Sequence, residues 1–536
     1  MRIAFYSPLN PVPSGISDYS EELLPLLARE FEIELIVDES RPTARSHHDA
    51  QLTLAANHPG PPLFSGRKDA RAGGASASSN PALASFPVWT RAEFKRRAAA
   101  YDLVLYQMGN SPAHDGIYQT LREIPGVVVL HDLVLHHLRA WQTIDRRDVQ
   151  GYIAAMRADY GEAGAELARL EALGLAGLDR FAYPLNGAVA RAARALIVHS
   201  AYAAHELARI VPQTPIAVVP MGVPPARFYH DAPTARAHLY LPADAFIVAA
   251  FGEVHPHKRV TVALQAFADF HRRFPNSLFL LIGRESANYE TDDIIRLCKL
   301  EGAVRRIGFA PRADYEDYIA AADLCLNLRY PSAGETSASL LRLFAAGKAV
   351  IVTRTGAYAD LPDSVCAKIE ADEYEQALLC AHLELFAQRP DLIARLGTNA
   401  RAFAARGHTL EQSAAAYADF LRAVHAADPR TGAGQAKSRS YLVESQIPEL
   451  GWTAEDRTTP AAEGRRSPNG GRLPVADPRT GVAHAQTGAS VENRDLDLMD
   501  SIAFDYAELG LDAQDPLLQT VAQALVELGL GGALAP

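Results

Sequence analysis

A chain of 536 residues is too long for one hydrophobic core and calls for two or three domains. Its 48% hydrophobic and 21% charged residues suit a globular protein, and a formal charge of −11 argues against a general nucleic-acid binder. The four cysteines, Cys298, Cys325, Cys366 and Cys380, include no CxxC pair and read as reduced, buried thiols rather than staples or metal ligands.

The chain begins directly in a strand, Ile3–Ser7, so no signal peptide is expected. No run reaches the ~18 apolar residues of a membrane span. The expected location is the cytoplasm. Short runs rich in Val and Ile follow at Ile33–Val37, Leu103–Tyr106, Val127–Leu130, Leu196–His199 and Ala217–Pro220, with helical stretches between them. Runs of this length are buried parallel strands of a βα open sheet. Residues 41–86, with Pro-Gly-Pro-Pro and Gly-Gly-Ala-Ser-Ala-Ser-Ser-Asn, are a low-complexity insertion into it. A second series contains the strands Ile247–Phe251, Leu278–Ile282, Val304–Phe309, Leu324–Leu328 and Val350–Thr353. Helices at Val260–Phe274 and Tyr315–Ala321 alternate with them, and a helix at Leu410–His425 ends the series. The expected domains are therefore 1–221 and 222–425, two facing Rossmann-like units with ligands in the cleft between them, outside the carboxyl ends of the strands. Residues 426–494 are rich in Pro, Gly, Arg and Thr and read as a flexible linker; 495–536 place Leu and Val at helical spacing and read as a helical tail. Arg465, Arg466 and Arg472 of the linker suit either solvent or peripheral contact with an anionic membrane surface.

Polar residues directly after these strands are the site candidates. After the first strand, Ser14-Gly15 opens a helix, and Gly15 lets a ligand approach the backbone. Asn110 follows the third run, and His131 and Asp132 follow the fourth, placed to bind hydroxyls or handle a proton. His136 and His137 lie on the next helix; with His131 they lack a familiar metal-ligand spacing, and no metal is expected. In the second series, Lys258 and Arg259 stand together at a helix start and suit a diphosphate; Arg284 is a further cation after the next strand. Glu335 sits where a loop becomes a helix, followed by Thr336, Ser337 and Ser339 with hydroxyls expected to be free. A carboxylate beside a helix N-terminus suits a sugar and its phosphate.

Together these segments resemble the retaining glycosyltransferases of the GT-B fold, family 4 (group 1 glycosyltransferases). The resemblance rests on Ser14-Gly15-Ile16, Leu130-His131-Asp132, Val219-Pro220-Met221-Gly222-Val223, Gly252 with Lys258-Arg259, and Gly334-Glu335 followed by Ala345-Ala346-Gly347-Lys348. It covers roughly residues 1–40 and 87–425. It implies an α/β GT-B fold with a nucleotide-sugar donor, UDP- or GDP-linked, on the second domain and a glycan or glycolipid acceptor on the first. It implies metal-independent transfer with retention at the anomeric carbon and no cofactor beyond the co-substrate. By carry-over, Lys258 and Arg259, with Gly15, Thr336 and Ser337, would serve the donor diphosphate and nucleotide. Glu335 and His131 would be the catalytic pair at the sugar, and Asn110 and Asp132 would meet sugar or acceptor. Two positions depart from the family: Glu253 stands where an Arg is usual, and Arg342 or Leu343, depending on alignment, stands where a second acid usually contacts the ribose. The alternatives are a non-catalytic nucleotide-sugar-binding module, to which these departures point, and a sugar-nucleotide epimerase on the same fold.

Overall fold

The computed structural model describes residues 1–12, 14–38, 83–286, 289, 291–428 and a short strand at Leu442–Val443. The insertion beyond 83–86, most of the linker and the whole tail lie outside the described residues. Two fully parallel sheets form the protein. The first holds β1 (Arg2–Tyr6), β2 (Glu32–Val37), β3 (Val88–Thr90), β4 (Leu103–Met108), β5 (Val127–Leu130), β6 (Ala195–Val198) and β7 (Ile216–Val218). The second holds β8 (Phe246–Phe251), β9 (Ser277–Ile282), β10 (Val304–Gly308), β11 (Leu324–Asn327), β12 (Ala349–Thr353) and β13 (Ala367–Ile369). The remaining strand, β14 (Leu442–Val443), pairs with β7 and so gives the expected linker a short piece of the first sheet.

In space the first sheet runs β14-β7-β6-β5-β4-β1-β2-β3 and the second β10-β9-β8-β11-β12-β13. Each reverses direction once, between β1 and β4 and between β8 and β11. Every residue of β4, β5, β6, β9, β11 and β12 is buried, as helices on both faces require. The expected runs thus become strands within one or two residues. The strands β3 and β13, three residues each, are too short to show a pattern and were not foreseen.

Local rules explain the helices. Ser14 caps the helix Gly15–Leu27 by accepting from Ile16 N, and Tyr19, Leu23, Leu24 and Leu27 form its buried face. Between β5 and β6 the chain makes an excursion through the helices His136–Gln142 and Val149–Ala172, which carries its own apolar cluster of Tyr152, Ile153, Met156 and Leu185. His136 is fully buried there, with Nδ1 facing the Tyr183 carbonyl and Nε2 facing the Tyr152 hydroxyl. It is a structural residue.

The chain passes between the domains twice at one place. Val223 N donates to the His408 carbonyl at 2.9 Å, His408 Nδ1 donates to the Met221 carbonyl at 3.0 Å, and Val223 bridges to Thr409. A capping box of Thr409 and Gln412 then starts the helix Leu410–Ala426. This helix packs on Gly15–Leu27 of the first domain, with ion pairs Arg422–Glu30 and Arg194–Asp428. The expected second domain, 222–425, includes this helix, whose buried Tyr417 and Leu421 lie in an apolar cluster that residues of both domains share.

Candidate functional site

Both sheets present their carboxyl ends to the cleft, and the reversals of strand order mark where a ligand is held in an open α/β sheet. Around the first reversal lie the loops after β1 and β4, carrying Gly15 and Asn110. Around the second lie the loops after β8 and β11, carrying Lys258 and Glu335. Gly15 is exposed, with open space where a side chain would stand.

The β8 loop turns through Gly252, whose φ of +98° suits only glycine; a Cβ there would also stand 2.6 Å from Lys258 Nζ. A single 3₁₀ turn, Pro256–Lys258, brings the lysine back over the strand end. Among the described residues its ammonium has no hydrogen-bond partner. Burial and the neighbouring Arg329 lower its pKa to about 7, against the opposing pull of Glu253 and Glu335. Arg329, the second residue after β11, lines the same hollow as Lys258, Gly252 and Glu253. Its Nη1 donates to Glu335 at 2.6 Å and its Nη2 to Ser337 Oγ at 3.1 Å, while its Nε is buried without a partner. Burial opposes the guanidinium charge, but Tyr358, Glu335 and, further off, Asp132 raise its pKa.

Glu335 also accepts from Ser332 Oγ at 3.1 Å. Gly334 beside it has a φ of +73°, and a Cβ there would meet Leu133 of the first domain at 2.5 Å. Val134 N donates to the Ala333 carbonyl at 2.9 Å, so the two domains touch at this point. Asp132 faces Glu335 across that contact. Its carboxyl is raised to about 7 by burial and by Glu335, despite a hydrogen bond from Asn110 N at 2.8 Å and the pull of Arg329. Two carboxyl groups and two cations therefore converge from opposite domains on one spot.

Several expected roles come out differently. Arg259 is not paired with Lys258. It adopts a left-handed backbone (φ 57°), which turns its side chain onto the buried Glu375, and Nε lies 3.0 and 2.9 Å from the two carboxylate oxygens. Its charge is already compensated, and Arg329 supplies the second cation instead. His131, expected at the sugar, is buried among side chains of its own domain. Its ring is 6% exposed, with Nδ1 3.2 Å from His199 Nε2, Nε2 2.7 Å from the Gln107 amide, and the Tyr19 ring against its side. His199 Nδ1 donates to the Val219 carbonyl, so with both rings neutral the proton between them sits on His131 Nδ1, and His131 Nε2 accepts from the Gln107 NH2, otherwise without a partner, once that amide is turned about. Burial and His199 hold the His131 pKa well below its usual value. Asp132 is the residue of that loop that reaches the cleft. Asn110 ties the loop to the next helix, its Nδ2 at 2.9 Å from His137 Nδ1 and its Oδ1 accepting from Leu138 N.

The hydroxyls after Glu335 are not all free. Ser337 caps the helix Ala338–Ala345 and also accepts from Arg329, and Ser339 bonds to both Ser337 and Asn327. Thr336 is half-buried in the loop between Glu335 and this cap. Arg284 lies over the Phe309 ring at 5.5 Å. Leu343 is wholly buried, whereas Arg342 points to the first domain and donates from Nη2 to both oxygens of Glu22, at 2.7 and 2.8 Å. Of the two residues at which the resemblance would place a ribose-binding acid, Leu343 is thus in the core and Arg342 in an interdomain ion pair. Arg329, Glu22 and His199 escaped the sequence reading. Arg329 had a visible signal, a cation directly after a buried strand; the other two had none.

Residues 231–403, within the second domain, match the family model "Glycosyl transferases group 1". Alpha-monoglucosyldiacylglycerol synthase of Acholeplasma laidlawii is 24% identical over 190 residues, 34% of this chain and 46% of that protein, so the match spans under half of that relative. Sucrose-phosphate synthase from Thermosynechococcus elongatus superposes with a TM-score of 0.54 at 19% identity, over 80% of this chain and 100% of that one. Anabaena HepE in complex with UDP-glucose superposes with a TM-score of 0.52 at 17% identity, over 79% of this chain and 100% of that one. The fold is GT-B.

Proposed function

We propose that this protein transfers a hexosyl group from a UDP- or GDP-linked sugar to a glycan or glycolipid acceptor, with retention of anomeric configuration and without a catalytic metal. The observation that carries this reading is the meeting of Lys258, Arg329 and Glu335 at the second reversal of strand order, inside the segment that matches the group 1 glycosyltransferases. In the reaction the bond from the anomeric carbon to the diphosphate oxygen breaks, the acceptor oxygen bonds to that carbon, and the acceptor proton passes to the leaving phosphate. Negative charge grows on the diphosphate as the bond breaks, and Lys258 and Arg329 are the groups to offset it. Glu335 would hold sugar hydroxyls, and Asp132, opposite it, would meet sugar or acceptor. The name of the Acholeplasma relative, a synthase of a glucosyl diacylglycerol, supports an acceptor of the lipid class, and the HepE complex makes UDP-glucose the first donor to test. A glycolipid acceptor would bring the protein to the inner face of a membrane. Among the described residues no helix is long and apolar enough to cross one.

Glu335→Gln should retain UDP binding within about threefold and lose about 10²-fold or more in kcat with the preferred donor, since a neutral amide holds sugar hydroxyls less strongly. Turnover of a donor panel, read by product analysis, checks it; no turnover of any donor by the unaltered protein would remove the proposal. Binding of UDP or GDP by calorimetry without turnover would favour a non-catalytic module, a reading that the Arg342–Glu22 pair supports. A changed free nucleotide sugar without acceptor would indicate an epimerase.

Binding should also take up a proton. At pH 8 Lys258, with a pKa of about 7, is mostly neutral in the free protein. A diphosphate beside it favours the charged form and raises that pKa. UDP affinity should therefore fall as pH rises from about 7 to 9, with up to about one proton taken up per UDP at pH 8. Calorimetry in two buffers of different ionisation enthalpy measures this; zero uptake would take Lys258 away from the diphosphate.

A further inference from the structure

We propose that His230, His238 and Asp317 form a divalent-metal site of the zinc type, on the side of the second domain away from the cleft. Among the described residues this grouping brings its three ligand atoms within 4.8 Å of one another. His230 Nδ1 lies 3.0 and 2.9 Å from the two Asp317 oxygens, and His238 Nδ1 lies 2.7 Å from one of them. The two imidazole rings are 5.2 Å apart. Two imidazoles and a carboxylate are a favoured ligand set for zinc, with bonds of about 2.0–2.2 Å, which puts ligand atoms of a tetrahedral site about 3.3 Å apart. The His–Asp separations of 2.9 and 2.7 Å fall short of that, and all three ligand atoms lie within 4.8 Å of one another, a set that rotations of the rings would bring to tetrahedral spacing.

Burial supports the same reading. The Asp317 side chain is 3% exposed, whereas those of His230 and His238 are 36% and 52% exposed. A fixed carboxylate thus lies beneath two adjustable rings. His230 also borders a solvent-open depression with Phe228, Tyr229, Lys348 and Arg401, which leaves room for water as a fourth ligand. Without metal each Nδ1 can donate to the carboxylate; with a metal on Nδ1, a neutral ring carries its proton on Nε2 instead.

The location fixes the role. His238 ends the helix Ala232–His238, and Asp317 lies within the helix Arg312–Ala321. Arg236 of the first helix bonds the carbonyls of Ala243, Ala245 and Ala321 and the Asp323 carboxylate, at the amino ends of β8 and β11. The site is thus at the opposite end of the sheet from Lys258 and Glu335. An ion there would clamp the segment entering the second domain to a helix behind the sheet, and would leave the transfer chemistry to the cleft. The inference stands whether or not the cleft transfers sugar.

Full-length protein stripped with chelator and dialysed against zinc should retain about one zinc per chain, measured by elemental mass spectrometry, and its thermal midpoint should rise. His230→Ala and His238→Ala, both at half-exposed positions, should keep the native circular dichroism and each weaken zinc binding by at least about tenfold. Absence of stoichiometric zinc in the unaltered protein, or equal zinc in both variants, would overturn the site.

Discussion

Lys258→Ala and Arg329→Met should each lower kcat/KM for glycosyl transfer by about 10²–10³-fold, because each removes a cation from where charge grows on the leaving diphosphate. Their effects on stability should differ in kind. Lys258 has no hydrogen-bond partner among the described residues, and its depressed pKa shows that the fold disfavours its charge. Removing it should leave the thermal midpoint unchanged or slightly higher at neutral pH. Arg329 holds Glu335 and Ser337, and both it and Glu335 have side chains only 12% exposed. Its loss strands a carboxylate beside Asp132, a cost of about 3–5 kcal/mol. Steady-state kinetics with thermal denaturation separates the two; Lys258→Ala retaining activity within about threefold would defeat the assignment.

Arg259→Ala should do the reverse, lowering stability by about 2–3 kcal/mol with little effect on nucleotide affinity. The carboxylate of Glu375 is 1% exposed and Arg259 is its cation, so the change leaves a buried charge uncompensated; the partial exposure of the guanidinium moderates the cost. Adding Glu375→Gln should restore part of the loss, since that charge is then absent. Denaturant unfolding measures the first effect and UDP titration the second. A tenfold or larger fall in UDP affinity would return Arg259 to the diphosphate.

These two arginines also show what the sequence could and could not convey. Both sheets were legible, because buried parallel strands such as Val127–Leu130 and Leu278–Ile282 are short apolar runs whatever surrounds them. The loops after those strands were legible as well, and Lys258, Glu335 and Asp132 do meet at the cleft. Side-chain direction was not. Adjacent cations look alike on paper, yet a left-handed residue at 259 sends one into the cleft and the other to Glu375, 116 residues away. Nothing in the residue type marks that turn, since arginine has no special tolerance for positive φ. The surroundings of His131 were not legible for a similar reason. Its ring is held by His199, 68 residues on, and a contact of that range leaves no local pattern. The β14 pairing and the Glu22–Arg342 pair, 320 residues apart, lie equally beyond local reading.

The double passage at Val223 and Thr409 has a mechanical consequence. Two chain segments running side by side, joined by a backbone bridge, resist twisting about their own axes far more than a single strand does, yet they bend together. Such a junction behaves as a door hinge and not as a ball joint. The second domain can swing on one axis, so the Val134–Ala333 and Glu22–Arg342 contacts lie at different points along the free edge of the door. Both contacts are made together in this structure, and a swing about that axis would part or join them together.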